Sequence, residues 1–490
     1  MPYHLAAKSC FYLTPSISAR FLMPFSKKPP SHRHHHHKHS NWRDYQRGMT
    51  KKYAREPRPQ RRLPLRVIVG LLTLIVVFGL FSMIRSTAQE FQPLAEKIMT
   101  PPVVRLNKEE IRELLDERAF SHLTKKDLSL STGDSTLHIE TTLDPGLQNY
   151  LLDTIDRVNS RHVGIVVMEG ESGRVLALAG FDRTDTFGNP CLRSQFPAAS
   201  IFKIVTAATA MDHYGYSANS PMHYNGSKHT LYKRQLTDKV DRYTTTIPLS
   251  EAFADSINPV FGKLGELRLR KPLLEEAANN FGFNQSLDFE VTVPPSQFEI
   301  SDKPYNWAEV ASGFNRGTTL SPLHGAAMAT AVLNGGRMIT PSIVESIVDD
   351  QGNFLYERPE RGESRQIMTA RAATALGQMM ETTITSGTAR KVFRKHKTDK
   401  ILAPLQIGGK TGSLDNATHD VRYDWFVGFA KERHGQKELV VAVMVGHEKF
   451  IGIRASDYAR RAMTYYFSNP PLIPASSTAA QKVSPPPRQI

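Results

Sequence analysis

Apolar positions along this chain come mostly in short runs. Residues 163–169 (VGIVVME) and 174–180 (RVLALAG) are two such runs, joined by Gly170-Glu171-Ser172-Gly173, and together they predict a β-hairpin. Three later runs, 405–414, 424–430 and 438–446, predict further strands. Between them lies the alanine-rich stretch 200–212 (SIFKIVTAATAMD), which has a helical pattern. Asn107 followed by Glu110 marks a helix start, with Ile111, Leu114 and Leu115 on one face. Strands early and late with helices between predict an α/β (α+β) domain. Its first and last segments are expected to share one antiparallel sheet covered by helices.

One run is of another kind. Residues 67–84 (VIVGLLTLIVVFGLFSMI) carry no charge and stand between Arg66 and Arg85. At 1.5 Å per residue such a helix is ~27 Å long, just enough to span the hydrocarbon layer. A buried core helix would show a polar face over this length. A cleaved signal peptide, with Ser86-Thr87-Ala88 as its cleavage site, fits less well, because the charged region before the run is long and signal cores span about 7–15 residues. The expectation is an uncleaved N-terminal transmembrane helix.

Charge gives the sidedness. Residues 1–66 hold 15 Lys/Arg against Asp44 and Glu56, while the other 424 residues are nearly balanced, with 47 bases and 45 acids. The basic side is expected in the cytoplasm, and everything beyond residue 85 outside the plasma membrane. A charge confined to a tail also argues against a nucleic-acid-binding globule. The expected layout is a cytoplasmic, basic, His-rich disordered tail (1–66), the span (67–84), and an extracytoplasmic connector (85–140) broken by Pro101-Pro102. A dense domain (141–467) and a Pro/Ser-rich tail (468–490) follow. His32, His34 to His37 and His39 read first as solvated low-complexity tail, with a metal site as the alternative. The Lys/Arg cluster at 51–66 suits anionic lipid headgroups, at about 1 kcal/mol per charge near the surface. Met49 is an alternative start. Cys10 and Cys191 form no disulfide framework, and a membrane between them would keep them from pairing.

Three short motifs carry chemistry. In Ser200-Ile201-Phe202-Lys203 the serine and lysine share a helix face. The serine needs a base to become a nucleophile, and the lysine becomes one only if burial or a second cation lowers its pKa. About two such spacings arise by chance in a chain this long, so alone it is weak. Lys410-Thr411-Gly412-Ser413 is rarer, on the order of a tenth of a chance occurrence for its first three residues. Its glycine admits a substrate backbone to the strand edge, and its lysine and hydroxyls suit a carboxylate. Ser256-Ile257-Asn258 adds a hydroxyl able to relay a proton and an amide able to bond both a lysine and a carbonyl.

In this order the three motifs resemble the transpeptidase domain of the penicillin-binding proteins. Residues 141–148 (TTLDPGLQ), 331–336 (AVLNGG), Gly387-Thr388-Ala389 and 425–428 (WFVG) match further stretches of that family. The resemblance covers about residues 140–467. It implies a five-stranded antiparallel sheet with helices on both faces, as in penicillin-binding proteins and serine β-lactamases, with no metal and no cofactor.

It also implies roles. Ser200 would attack the penultimate D-Ala carbonyl of a peptidoglycan stem peptide, with Lys203 as general base. Ser256 with Lys410 would pass a proton toward the leaving amine, and Asn258 would orient side chains and substrate. Lys410, Thr411 and Ser413 would hold the terminal carboxylate beside Gly412. The backbone N–H groups of Ser200 and Ser413 would form the oxyanion hole. β-Lactams would acylate Ser200. Expected partners are D-Ala-D-Ala stem peptides, β-lactams, the bacterial plasma membrane and a separate glycan polymerase, with no nucleic acid.

The chain departs from the family at two motif positions. Ser413 replaces the usual threonine but keeps the hydroxyl. Gly313-Phe314-Asn315 stands where many members have Gly-Gln-Gly. The 55 residues at 86–140 are too few for a glycosyltransferase domain, so glycan polymerisation is not expected. His324 in SPLHGAA reads as structural, Cys191 as a partly buried free thiol, and Trp307 and Trp425 as core or cleft walls. No phosphate-cradling loop follows a strand. The leading expectation is a membrane-anchored serine DD-transpeptidase. A DD-carboxypeptidase, a serine β-lactamase and a non-catalytic β-lactam sensor or scaffold stay open as alternatives.

Overall fold

A computed structural model describes residues 105–469, apart from 117–119, 121–122 and 134. The apolar run 67–84, the expected tail 1–66 and residues 470–490 of the expected C-terminal tail lie outside the described residues, among which no helix is long and apolar enough to cross a membrane.

Helix α1 (Lys108–Leu114) starts at the expected capping box: Asn107 accepts from the N–H groups of Glu109 and Glu110, and Glu110 accepts from the Asn107 N–H. The hairpin β1 (Asp127–Thr132) and β2 (Ser135–Thr141) follows, then α2 (Pro145–Asp153), whose N-cap is Asp144. The next pair is β3 (Ser160–Glu169) and β4 (Val175–Asp182), the hairpin expected from the two apolar runs. The central segment is mainly helical: α3 (Lys203–Tyr214), α4 (Leu249–Ala254), α5 (Asn258–Lys263), α6 (Arg270–Asn280), α7 (Pro304–Ser312), α8 (Pro322–Leu333) and α9 (Ala370–Thr385). Strands β5 (Val344–Val348) and β6 (Phe354–Glu357) interrupt it. The chain closes with β7 (Leu405–Asp415), β8 (Arg422–Glu432), β9 (Glu438–His447) and α10 (Ala455–Ser468).

The central sheet has the order β7-β8-β9-β3-β4, antiparallel throughout, so the first and last strands of the body do share one sheet. Its strands read as nearly unbroken apolar runs because both faces are covered. Along β9, Leu439, Val441, Val443 and Val445 enter a core with α2 and α10, while Val440, Ala442 and Met444 enter the opposite core with α3 and α8. Each of the buried Leu, Val and Met side chains contributes roughly 1.5–3 kcal/mol by leaving water. Helix α8 is buried along almost its whole length, which explains its lack of a polar face.

A second sheet has the order β1-β2-β5-β6. Thr141 pairs with Val344 and His138 with Val348, and Leu137 and Ile139 join the core beside Ile343 and Ile347. Much of the expected connector is thus a helix and a hairpin that pack against residues some 200 positions later. Local sequence pattern carries no sign of such a long-range pairing.

Candidate active site

The three motifs come from three separate elements, and the fold brings them to one cleft of about 580 Å³ along the open edge of β7. Ser200 does not open an α-helix, as the helical pattern suggests. It lies in a 3-10 turn, Ala199–Phe202, and α3 begins at Lys203. The cause is local: Ala199 has φ +48°, in the left-handed region that non-glycine residues avoid. Surrounding structure holds this conformation in place. Phe196–Pro197 pair with Thr319–Leu320, the buried Trp425 donates its Nε1–H to the Pro197 carbonyl at 2.9 Å, and Gly313 lies flat against Ala199.

Lys203 is fully buried at the start of α3. Its Nζ stands 2.8 Å from Ser200 Oγ and 2.8 Å from Asn258 Oδ1, and it also bonds the Ser312 carbonyl at the end of α7. Burial, and then the charge of Lys410, push its pKa well below the ordinary lysine value. A neutral amine has two N–H groups and one lone pair. The Ser312 carbonyl and Asn258 Oδ1 can only accept, so they take both N–H groups and leave the lone pair to Ser200. Asn258 is itself oriented, because its Nδ2 donates to the His229 carbonyl at 2.9 Å.

Ser256 sits after α4 with φ +57°, a turn that aims its hydroxyl inward. Lys410 projects from β7, fully buried, and its Nζ donates to Ser256 Oγ at 3.0 Å and to the Thr411 carbonyl at 2.8 Å. Burial brings the Lys410 pKa down to about 7, with Asp255 pulling the other way. Thr411 and Thr388 share a hydrogen bond at 2.6 Å between their hydroxyls. A Cβ on Gly412 would lie 3.3 Å from the Ser200 backbone nitrogen, so the strand and the serine turn meet there closely. Ser413 Oγ is buried and has no hydrogen-bond partner among the described residues, which leaves it for a ligand.

All eight expected site residues therefore converge: Ser200, Lys203, Ser256, Asn258, Lys410, Thr411, Gly412 and Ser413. Sequence reasoning did not single out the Ser312 and His229 carbonyls, because a backbone acceptor carries no residue signature. It also passed over Arg316, Lys391, His419 and Arg422, which line the same cleft. The other residues weighed as structural lie apart from this chemistry. His324 is buried, bonded to the Phe281 carbonyl at 2.7 Å and pushed down by burial to about 4. Cys191 is a fully buried free thiol whose pKa burial drives upward. Trp307 donates to the Ser301 carbonyl at 2.8 Å.

Comparison with known proteins bears on the domain and its fold. The family model described as "Penicillin binding protein transpeptidase domain" matches residues 163–465. Stage V sporulation protein D of Bacillus subtilis is 23% identical over 342 residues, which is 64% of this chain and 50% of that protein. Peptidoglycan D,D-transpeptidase PbpA of Mycolicibacterium smegmatis is 26% identical over 273 residues, 52% of this chain and 51% of that protein. The chain thus spans about half the length of these two relatives. Penicillin binding protein 3 from Mycobacterium tuberculosis, in its apo form, has a similar fold, with a TM-score of 0.57 and 20% identity over 69% of this chain and 81% of its own.

Proposed function

The chain belongs to the penicillin-binding protein transpeptidase family, and on that footing we propose that it is a membrane-anchored serine DD-transpeptidase that cross-links peptidoglycan stem peptides through an acyl-enzyme on Ser200. The observation that carries this reading is Lys203 Nζ, fully buried, with its pKa well lowered, 2.8 Å from Ser200 Oγ. A buried lysine whose charged form is disfavoured, set against a serine hydroxyl, is placed to act as a base on a nucleophile.

Ser200 Oγ attacks the carbonyl carbon of the penultimate D-Ala and gives its proton to Lys203. The carbonyl oxygen becomes an oxyanion, held by the N–H groups of Ser200 and Ser413. Collapse breaks the C–N bond, and the leaving D-Ala amine takes a proton delivered through Ser256, whose hydroxyl Lys410 holds at 3.0 Å. Lys410, Thr411 and the unpartnered Ser413 hydroxyl bind the terminal carboxylate. The amine of a second stem peptide then attacks the ester, loses a proton, and releases Ser200. A β-lactam enters the same path, and its ring amide is the bond that opens. The 67–84 segment serves as the anchor, with the catalytic domain outside the plasma membrane and glycan strands supplied by a separate polymerase.

The test uses the full chain with a synthetic pentapeptide ending in D-Ala-D-Ala and a free D-amino acid acceptor, with products identified by mass spectrometry. Release of D-Ala with an exchanged peptide supports a transpeptidase. Release with hydrolysed tetrapeptide alone makes the protein a carboxypeptidase. Retention of the full chain in the membrane fraction, and its loss from that fraction on deletion of 67–84, supports the anchor.

A further inference from the structure

Four lysine and arginine side chains line the cleft: Arg316, Lys391, Arg422 and Arg454. Arg422 bonds Asp415 at 3.0 Å and Arg454 bonds Asp424 at 3.0 Å. Arg316 has no carboxylate partner among the described residues, yet it is not loose. Its Nε donates to the Asp415 carbonyl at 2.9 Å. That bond fixes the base of the guanidinium at the edge of β7, where Arg316 lines the cleft.

The position of that bond matters. Strand β7 is the outer strand of its sheet, so one side of its backbone is open. In an antiparallel ladder successive residues turn their N–H and C=O to alternate sides. The Asp415 carbonyl is taken by Arg316 and so faces the open side. Ser413, two residues back, faces that side too. A peptide residue paired there exchanges both of its backbone bonds with Ser413. In the reaction proposed above, that residue is the penultimate D-Ala. An antiparallel peptide then sets its terminal D-Ala opposite Gly412, toward Thr411 and Lys410. The residue before the D-alanyl pair falls opposite Leu414. One step further the edge is closed, because Arg316 already holds Asp415. The residue opposite Leu414 is thus delivered against a positioned guanidinium that has no acid of its own.

We infer that Arg316 is a specificity residue that binds a carboxylate carried by the stem-peptide residue immediately before the D-Ala-D-Ala pair. This inference rests on the transpeptidase reading. The site selects stem peptides in which that residue keeps a free side-chain carboxylate over those in which it is amidated. A guanidinium–carboxylate contact in a cleft is charge-assisted and forked, which gives it both strength and direction.

The experiment uses the full chain and two synthetic pentapeptides ending in D-Ala-D-Ala. They differ only in whether the third residue's side-chain carboxylate is free or amidated. Each peptide is tested for its ability to slow covalent labelling of Ser200 by a fluorescent penicillin, which needs no turnover. The free-carboxylate peptide is expected to act at about tenfold lower concentration, the scale of one hydrogen bond to a charged group. Arg316→Gln keeps an N–H for the Asp415 carbonyl and removes the charge, so the preference should shrink to within about twofold. Arg316→Lys should restore part of it. Equal potency of the two peptides on the unaltered protein, a preference that survives Arg316→Gln, or no competition by either peptide overturns the inference while the penicillin-binding reading stands. No labelling of Ser200 at all overturns both.

Discussion

Gly313 lies so close to the carbonyl of Ala199 that a Cβ at this position would come within 1.9 Å of that oxygen. Gly313 itself has φ +66°, and Ala199, at φ +48°, precedes the nucleophile. The strained Ala199 and the left-handed Gly313, which adopts that conformation freely because it has no Cβ, therefore pack together and set the angle of Ser200. A glycine is required at this position because any side chain would meet the Ala199 backbone.

Gly313→Ala should then be damaging twice over. The clash falls on backbone, which cannot swing aside, and the left-handed conformation is strained for alanine. We expect a loss of about 2–5 kcal/mol in stability and at least a tenfold slower acylation in whatever remains folded. Thermal melting and penicillin-labelling rates measure the two effects. Unchanged values for both would mean that the turn does not depend on this contact.

Lys203→Met keeps the volume of the buried stem and removes the base. Labelling of Ser200 should slow by ~10²–10⁴-fold, the usual scale of a lost general base, while circular dichroism shows a folded protein. In the unaltered protein the acylation rate should rise with pH as Lys203 loses its proton, and level off where it is neutral. A labelling rate that survives Lys203→Met would transfer the role of base elsewhere.

Lys410 makes a prediction about stability. Its pKa is about 7 in the folded chain and about 10.4 unfolded. Between these values the unfolded chain holds a proton that the folded chain has released, so stability rises with pH. The burial cost is fully present below pH 7 and fades toward pH 10.4, at a slope on the order of 1.4 kcal/mol per pH unit. Lys203 acts in the same direction. Removing one of the two groups by Lys410→Met should flatten the rise in melting temperature between pH 7 and 9.5. Parallel pH profiles for the two proteins would contradict the burial argument.

Much of this was legible in the sequence, for a physical reason. Strands buried on both faces leave unbroken apolar runs, so β3, β4, β7, β8 and β9 stood out. The lysines and serines stood out because their chemistry demands those residue types at those spacings. What stayed hidden was set by distant partners. The left-handed Ala199 moves Ser200 out of the first turn of α3. The Ser312 carbonyl reaches Lys203 across 109 residues with nothing but backbone. The hairpin β1–β2 looks like connector until β5 lies beside it. Arg316 is an ordinary surface residue in sequence and becomes conspicuous only once its guanidinium is seen without an acid at the open edge of β7.

The proposed chemistry stands or falls with Ser200 as the acylated nucleophile. The measurement that tests it most directly is covalent labelling of the full chain by a fluorescent penicillin, with the adduct located by mass spectrometry. A stable adduct is expected on the peptide containing Ser200, and none in Ser200→Ala. A well-folded protein that takes no label, or an adduct that persists in Ser200→Ala, would contradict it.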